Sequence, residues 1–250
     1  AYALPVQLLT PNGITFSDDG LLWIVDTTSS SFFSFDPSSE EFIQYVTADP
    51  MFETYGNQTG VIKSPISRPY WIENDDQGRL VFNEQTANNI SVMDPKKQSL
   101  VEYHVPSKNP NWGDCDNGVE VLDNCGIAQI FDFTISGDKI WFTEWVENNI
   151  GVVDTSIPLP FSIDIDTKEI TLKKGETAVV TLQVTKTHSQ HIVQSINVNY
   201  SFTSTFSDIT IKPELNNFSL SDQVTAISVE ITASEHALSG THKVLLGGYT

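Results

Sequence analysis

An all-β chain is predicted, and three observations predict it. Short apolar runs, alternating or continuous, recur along the 250 residues, each bounded by Gly, Asp, Asn or Pro. Three of these runs repeat in register: Leu22-Trp23-Ile24-Val25-Asp26, Leu80-Val81-Phe82-Asn83-Glu84 and Ile140-Trp141-Phe142-Thr143-Glu144. In each, an acid follows the second residue by three positions, and an aspartate (Asp36, Asp94, Asp154) follows it by thirteen. Past Pro158-Leu159-Pro160 the repeat stops and a plain succession of alternating strands takes over.

The repeat dictates the first architecture. Upstream of each run lie a second strand and an Asp/Gly turn: Gly13 to Phe16 before Asp18-Asp19-Gly20, Tyr70 to Ile72 before Asp75-Asp76-Gln77-Gly78, and Ile130 to Phe133 before Ser136-Gly137-Asp138. Downstream, Phe42 to Val46 and Leu100 to Val105 alternate as half-exposed outer strands. Four short strands per unit make a β-propeller blade, so residues 1–157 are predicted to hold about three blades of a partial propeller. The period is 58 and then 60 residues, and the excess over a common blade falls in the loops Ala48–Ser67 and Pro106–Gly126. Three blades are too few for a closed ring, so others are expected upstream in a longer polypeptide or from a partner, with Pro5 to Leu9 as a strand of an earlier blade.

Two close prolines suit a stiff linker rather than a central strand. Beyond them, residues 158–250 are predicted to form an immunoglobulin-like β-sandwich. Its seven strands are Phe161–Asp166, Glu169–Leu172, Ala178–Thr185, Ser195–Phe202, Ile209–Lys212, Thr225–Thr232 and His242–Leu246.

The formal charge of -19 belongs mostly to the blades, where 23 acids face 7 bases before Pro158, against 9 and 6 after it. Such a surface repels phosphate backbones, which excludes nucleic acid as a partner class. No run of about eighteen apolar residues spans a bilayer. Cys115 and Cys125 lie in polar, turn-rich sequence without the basic neighbour of a reactive thiol or the ligand spacing of zinc, and are read as a disulfide. That places the chain outside the cytoplasm, secreted or at a cell surface, where the Asn-x-Ser/Thr triplets at Asn57, Asn89, Asn199 and Asn217 become glycan acceptors. Asn199 is expected to face solvent from a strand, and Asn89 to sit in a turn.

The blade texture resembles the virginiamycin B lyase (streptogramin lyase) family over roughly residues 1–156, through Pro11-Asn12-Gly13-Ile14-Thr15, Arg68-Pro69-Tyr70, and Ile140 to Trp145 followed by Asn148-Asn149-Ile150-Gly151. The resemblance implies a propeller fold. It also implies a metal-assisted elimination that depends on histidines in a Pro-His-Gly-Ile slot. The corresponding residues here are read as Asn12, Tyr70 and Ile130, none of which serves as a histidine base, so the family's chemistry is not expected to carry over.

Two constellations remain. Asp26, Glu84 and Glu144 occupy equivalent places, and a ring of them would favour Ca²⁺ or Mg²⁺; carboxylates bonded to backbone amides would look the same in sequence. Tyr70, Trp112 and Trp145 are the aromatic candidates for a ligand-binding face, whereas Trp23 and Trp141 are expected to pack between blades. His188 and His191 lack the third ligand of a zinc site. The expected function is an extracytoplasmic binding scaffold for a protein or glycan partner, on its own or within a surface or membrane-associated complex. The alternative is a metal-assisted propeller lyase or hydrolase.

Overall fold

The computed structural model describes residues 1–51, 54, 66–115, 125–187, 195–203, 208–220 and 224–250. They form two compact units, Ala1–Ser156 and Ile157–Thr250. No helix among the described residues is long and apolar enough to cross a membrane.

The first unit is built from three antiparallel meanders. Strands β1 (Pro11–Phe16), β2 (Leu22–Asp26), β3 (Ser31–Asp36) and β4 (Glu41–Val46) pair in chain order. So do β5 (Pro69–Asn74), β6 (Leu80–Glu84), β7 (Asn89–Asp94) and β8 (Ser99–His104). The third sheet has three strands rather than four: β9 (Ile130–Ser136), β10 (Lys139–Glu144) and β11 (Asn149–Asp154). These are propeller-like blades, and the repeating aspartates explain their own spacing. Asp36, Asp94 and Asp154 each accept the backbone N–H two residues on, from Ser38, Lys96 and Ser156, and so set the turn that leaves the third strand. The first turn of each blade carries a glycine at positive φ, Gly20, Gly78 or Gly137.

Blades stack mainly through alternate residues of the second and third strands, joined by residues of the first, because successive side chains point to opposite faces. Trp23, Val25 and Phe32 of blade 1 meet Ile72, Leu80, Phe82 and Met93 of blade 2. Val81, Ile90 and Val92 on the other face of blade 2 meet Ile130, Phe133, Ile140 and Phe142 of blade 3. Blade 1's remaining face is covered by the N-terminal segment, in which Leu8 packs on Ile24 and Phe33 and Tyr2 stacks edge-on against Phe35. Pro5 to Leu9, expected as a strand, performs this covering without ladder pairing.

Among the described residues of the first unit, none covers the far face of blade 3 in this way. Trp141 stands in the register of Trp23 and Val81, yet it is 42% exposed where they are 1% and 0%. Ile150 (75%) and Val152 (47%) repeat Ile90 (0%) and Val92 (4%). Trp141, expected between blades, is therefore at the surface of the described structure.

The second unit is a two-sheet sandwich. One sheet runs β12 (Phe161–Ile165), β13 (Thr177–Lys186), β17 (Thr225–Ala233), β15 (Ile209–Pro213). The other runs β16 (Asn217–Phe218), β14 (Ile196–Phe202), β18 (Val244–Tyr249). Alternation fills the space between them with Val180, Leu182 and Val184 from β13, Ile227, Val229 and Ile231 from β17, and Ile196 and Phe218 from the facing sheet. The expected strand Glu169–Leu172 does not form: Leu172 packs against this core while its backbone stays irregular. The short β16, which the sequence reading missed, pairs with β14 instead.

Two substitutions at one register position test the stacking. Trp23→Ala is expected to cost about 3–5 kcal/mol, as deletion of a buried indole does. Trp141→Ala is expected to cost less than about 1 kcal/mol, as at an exposed site. Denaturant unfolding of the two variants measures both, and equal losses would show that Trp141 is covered in solution.

Candidate functional site

The innermost strand of every blade carries an extra residue at the same place. Between Pro11↔Asp26 and Ile14↔Ile24 there are two residues on β1 against one on β2, and the pattern recurs between Pro69↔Glu84 and Ile72↔Phe82 and between Ile130↔Glu144 and Phe133↔Phe142. Such a bulge re-aims the side chains within it. The registers make Asn12, Tyr70 and Phe131 equivalent. The third slot residue is thus Phe131 and not Ile130, which is fully buried at the position of Pro11 and Pro69. The one-residue slip arises because four residues separate Ile135 from its partner Ile140, whereas five separate Asn74 from Leu80.

Two asparagines, the buried Asn83 and the exposed Asn12, tie the bulges to neighbouring strands. Asn83 accepts from the Trp71 N–H at 2.8 Å and donates to the Ile130 carbonyl at 2.8 Å, tying the bulge of blade 2 to the start of β9. Asn12 donates to the Tyr70 carbonyl at 2.7 Å. Beside it, a Cβ on Gly13 would stand 2.8 Å from the Ile72 nitrogen, so only glycine lets β1 and β5 approach.

At this end of the blades four rings form a continuous strip. Tyr70 and Phe131 have centroids 5.6 Å apart, Phe131 and Trp145 5.4 Å, and Trp145 and Trp112 6.0 Å, with interplanar angles of 37°, 54° and 46°. Trp145 is 59% exposed and Trp112 and Phe131 nearly half exposed. The structure therefore joins all three sequence-predicted aromatics, Tyr70, Trp112 and Trp145, through Phe131, which sequence reasoning missed because the slot had been placed one residue early.

Trp112 reaches the strip from a long loop that is braced at its base. Asn109 caps a single 3-10 turn, Pro110–Trp112, by accepting from the Asn111 N–H at 3.0 Å. The disulfide Cys115–Cys125 is present, its Cα atoms 5.5 Å apart, and both cysteines are buried. Next to it Gly126 adopts φ 130°, where a Cβ would come within 2.5 Å of the Asn109 carbonyl carbon. The returning chain bonds onward to the turn that bears the other indole, through Trp145 N–H to Gln129 O at 3.2 Å and Val146 N–H to Ala128 O at 3.3 Å. Closing this ten-residue loop covalently contributes roughly 2–3 kcal/mol by the chain-entropy estimate.

The three recurrent acids have local partners. Asp26 accepts from the N–H groups of Leu9, Thr10 and Thr28 and from the Thr28 hydroxyl at 3.0–3.1 Å. Glu144 accepts from Ser107 and Asn149, each at 3.0 Å. Glu84 is wholly buried and accepts from Ser91, with its Oε2 lacking a hydrogen-bond partner. Among the described residues, no three His, Cys, Asp or Glu side chains gather where a cation could be held.

Glu84 has one further neighbour, the half-buried Glu102, which accepts from the Ala48 N–H at 2.9 Å. Burial, and then the Glu102 charge, push the Glu84 carboxyl well above the usual carboxylate range; burial also raises Glu102. The hydroxyls of Ser91, Ser67 and Thr47 moderate the rise at Glu84.

Of the sequons, Asn217 is exposed and donates to Asn197 at 2.7 Å, whereas Asn199 and Asn89 are half-buried in β14 and at the head of β7, where Asn89 faces His104. Asn57, His188 and His191 lie outside the described residues.

No protein-family model and no curated protein matches the chain. Among solved structures it is similar to a streptogramin B lyase, with 16% identity and a TM-score of 0.40 over 74% of this chain and 54% of that one. It is also similar to the virginiamycin B lyase of Staphylococcus aureus, with 19% identity and a TM-score of 0.39 over 74% and 51%. The extracellular domain of BT4673 from B. thetaiotaomicron follows with 12% identity and a TM-score of 0.38 over 94% and 36%. The chain thus spans about half the length of the two lyases. The blade assignment rests on sheet order and register, not on these distant likenesses.

Since burial and the Glu102 charge raise the Glu84 carboxyl in the folded chain above its ordinary value of 4.5, stability is expected to fall as pH rises from that value through the raised folded one. Denaturation midpoints measured across this range should therefore fall less in Glu84→Gln than in the parent, and parallel curves would refute the rise. Separately, reduction of Cys115–Cys125 should weaken the near-ultraviolet circular dichroism of the Trp112–Trp145 pair while leaving the far-ultraviolet β signal intact. An unchanged near-ultraviolet spectrum would show that the disulfide does not position Trp112.

Proposed function

We propose that the chain is an extracytoplasmic binding scaffold whose blades present the strip Tyr70–Phe131–Trp145–Trp112 to a protein or glycan partner. The observation that carries this reading is the strip itself: four contacting rings, three of them exposed, on a braced loop, a turn and two bulges. Exposed rings of this kind are the anchors of recognition surfaces. The disulfide supports an oxidising compartment, and the exposed sequon at Asn217 fits one. We read the sandwich as immunoglobulin-like and as a spacer or docking module, on the support of its two facing antiparallel sheets and disulfide-free core. The slot residues Asn12, Tyr70 and Phe131 supply no histidine, which favours binding over the metal-assisted lyase or hydrolase alternative.

Blade 3 favours a second reading alongside the first, a subunit of a larger surface assembly. Its uncovered Trp141, Ile150 and Val152 match a partner that offers another apolar sheet face, as blades 2 and 3 do for Trp23 and Val81.

The test of the leading reading is an array of oligosaccharides and peptides probed with the parent and with Phe131→Ala/Trp145→Ala. Both side chains are exposed enough that the variant should fold with stability within about 1 kcal/mol of the parent. Binders of the parent should be lost on the variant. Equal binding by both, or none by the parent, would sink the proposal.

A further inference from the structure

We infer that the aromatic strip takes a cationic side chain, an arginine or lysine on a basic segment of a partner protein. This rests on reading the strip as a binding face and narrows its ligand.

The first argument is the tilt of the rings. Tyr70, Phe131, Trp145 and Trp112 are inclined to their neighbours by 37°, 54° and 46°, so they share no common plane. A flat, extended ligand can lie on only one of them at a time. A compact cation needs no common plane, since within about 6 Å of a ring centroid it is drawn to that ring's negative π face. Centroid separations of 5.4–6.0 Å keep neighbouring rings within that reach of one group. Arginine suits the setting best, since its planar guanidinium stacks on aromatic faces and sheds its hydration at less cost than an ammonium.

The second argument is charge. The blades carry 23 acids against 7 bases before Pro158. Acids also stand beside the rings in the chain: Asp132 follows Phe131, and Asp114 and Glu147 lie two residues past Trp112 and Trp145. This field concentrates cations at the strip and repels sulfated, uronic or phosphorylated ligands. Charge and ring geometry therefore select the same ligand, and neither favours a neutral sugar.

The test uses an arginine-rich octapeptide, the same peptide with each arginine replaced by citrulline, and a neutral gluco-oligosaccharide. Each is titrated calorimetrically and by tryptophan fluorescence, at physiological salt and at about 1 M salt, where charges are screened beyond about 3 Å. The arginine peptide should bind, and citrulline, which keeps the shape and loses the charge, should weaken binding at least tenfold. Trp145→Ala should weaken it about 3- to 30-fold at both salt concentrations, in line with the worth of a cation–π contact. Trp145→Phe should restore part of the loss. Peptide binding that vanishes at high salt and ignores Trp145→Ala would be general charge attraction and would overturn the inference. Binding of the oligosaccharide in place of the peptide, abolished by Trp145→Ala, would also overturn it yet leave the strip as the binding face. No effect of Trp145→Ala on any ligand would remove both readings.

Discussion

A thin sheet with apolar side chains on both faces is stable only between two covers, and residues 1–156 are organised around that requirement. Blade 2 meets it fully: Leu80 and Phe82 look towards blade 1, while Val81, Ile90 and Val92 look towards blade 3. The alternation of Leu80-Val81-Phe82 is therefore not an inside-outside pattern but two insides, which is why the second strand of each blade reads as an unbroken apolar run. The acid that closes each run marks where burial stops being apolar. Asp26 and Glu144 meet hydrogen-bond donors there, whereas Glu84 meets a second carboxyl, which together with burial raises its own.

Stacking also explains why the aromatic strip lies where it does. Two blades can approach at their inner strands only if some backbone runs against backbone, as Gly13 does against Ile72, and only if the displaced amides find partners, as the Trp71 N–H does in Asn83. The bulge that relieves this crowding turns Tyr70 and Phe131 towards the rim. The strip is thus a by-product of close inner packing that long loops then extend, with Trp112 carried in on a loop clamped by Cys115–Cys125.

Much of this was legible in the residues, and the failures are local. Spacing alone revealed the repeat, because the Asp turns and the buried triplets recur at fixed distances. The disulfide was legible from the absence of any basic or ligating neighbour. Phe131 was missed because one hairpin is a residue shorter than its counterpart, a slip that a period counted on the second strand cannot detect. The recurrent acids were ambiguous in sequence, since a carboxylate that caps amides and one that holds a metal occupy the same position in a repeat. The pairing of Glu84 with Glu102 depends on cross-strand register, Ser91 lying opposite Glu102, and register is invisible until strands are aligned. In the sandwich, Glu169 to Leu172 alternated well enough to suggest a strand, but apolar alternation reports only which side chains are buried. Leu172 is buried without a ladder.

The same covering requirement gives meaning to the blade 3 face that the described residues leave uncovered. Trp141, Ile150 and Val152 are not scattered surface hydrophobics, because their counterparts Trp23, Ile90 and Val92 are nearly inaccessible. Edge position adds to this: among the described residues β11 ends its sheet, where β4 and β8 flank its equivalents, so the apolar patch borders a sheet edge. A face with both features is suited to another sheet and poorly suited to water. Residues 1–156 therefore carry two chemically distinct surfaces, an aromatic strip within an acidic sequence and an apolar sheet face at a sheet edge. Their chemistries select different partners, so occupation of one does not require occupation of the other.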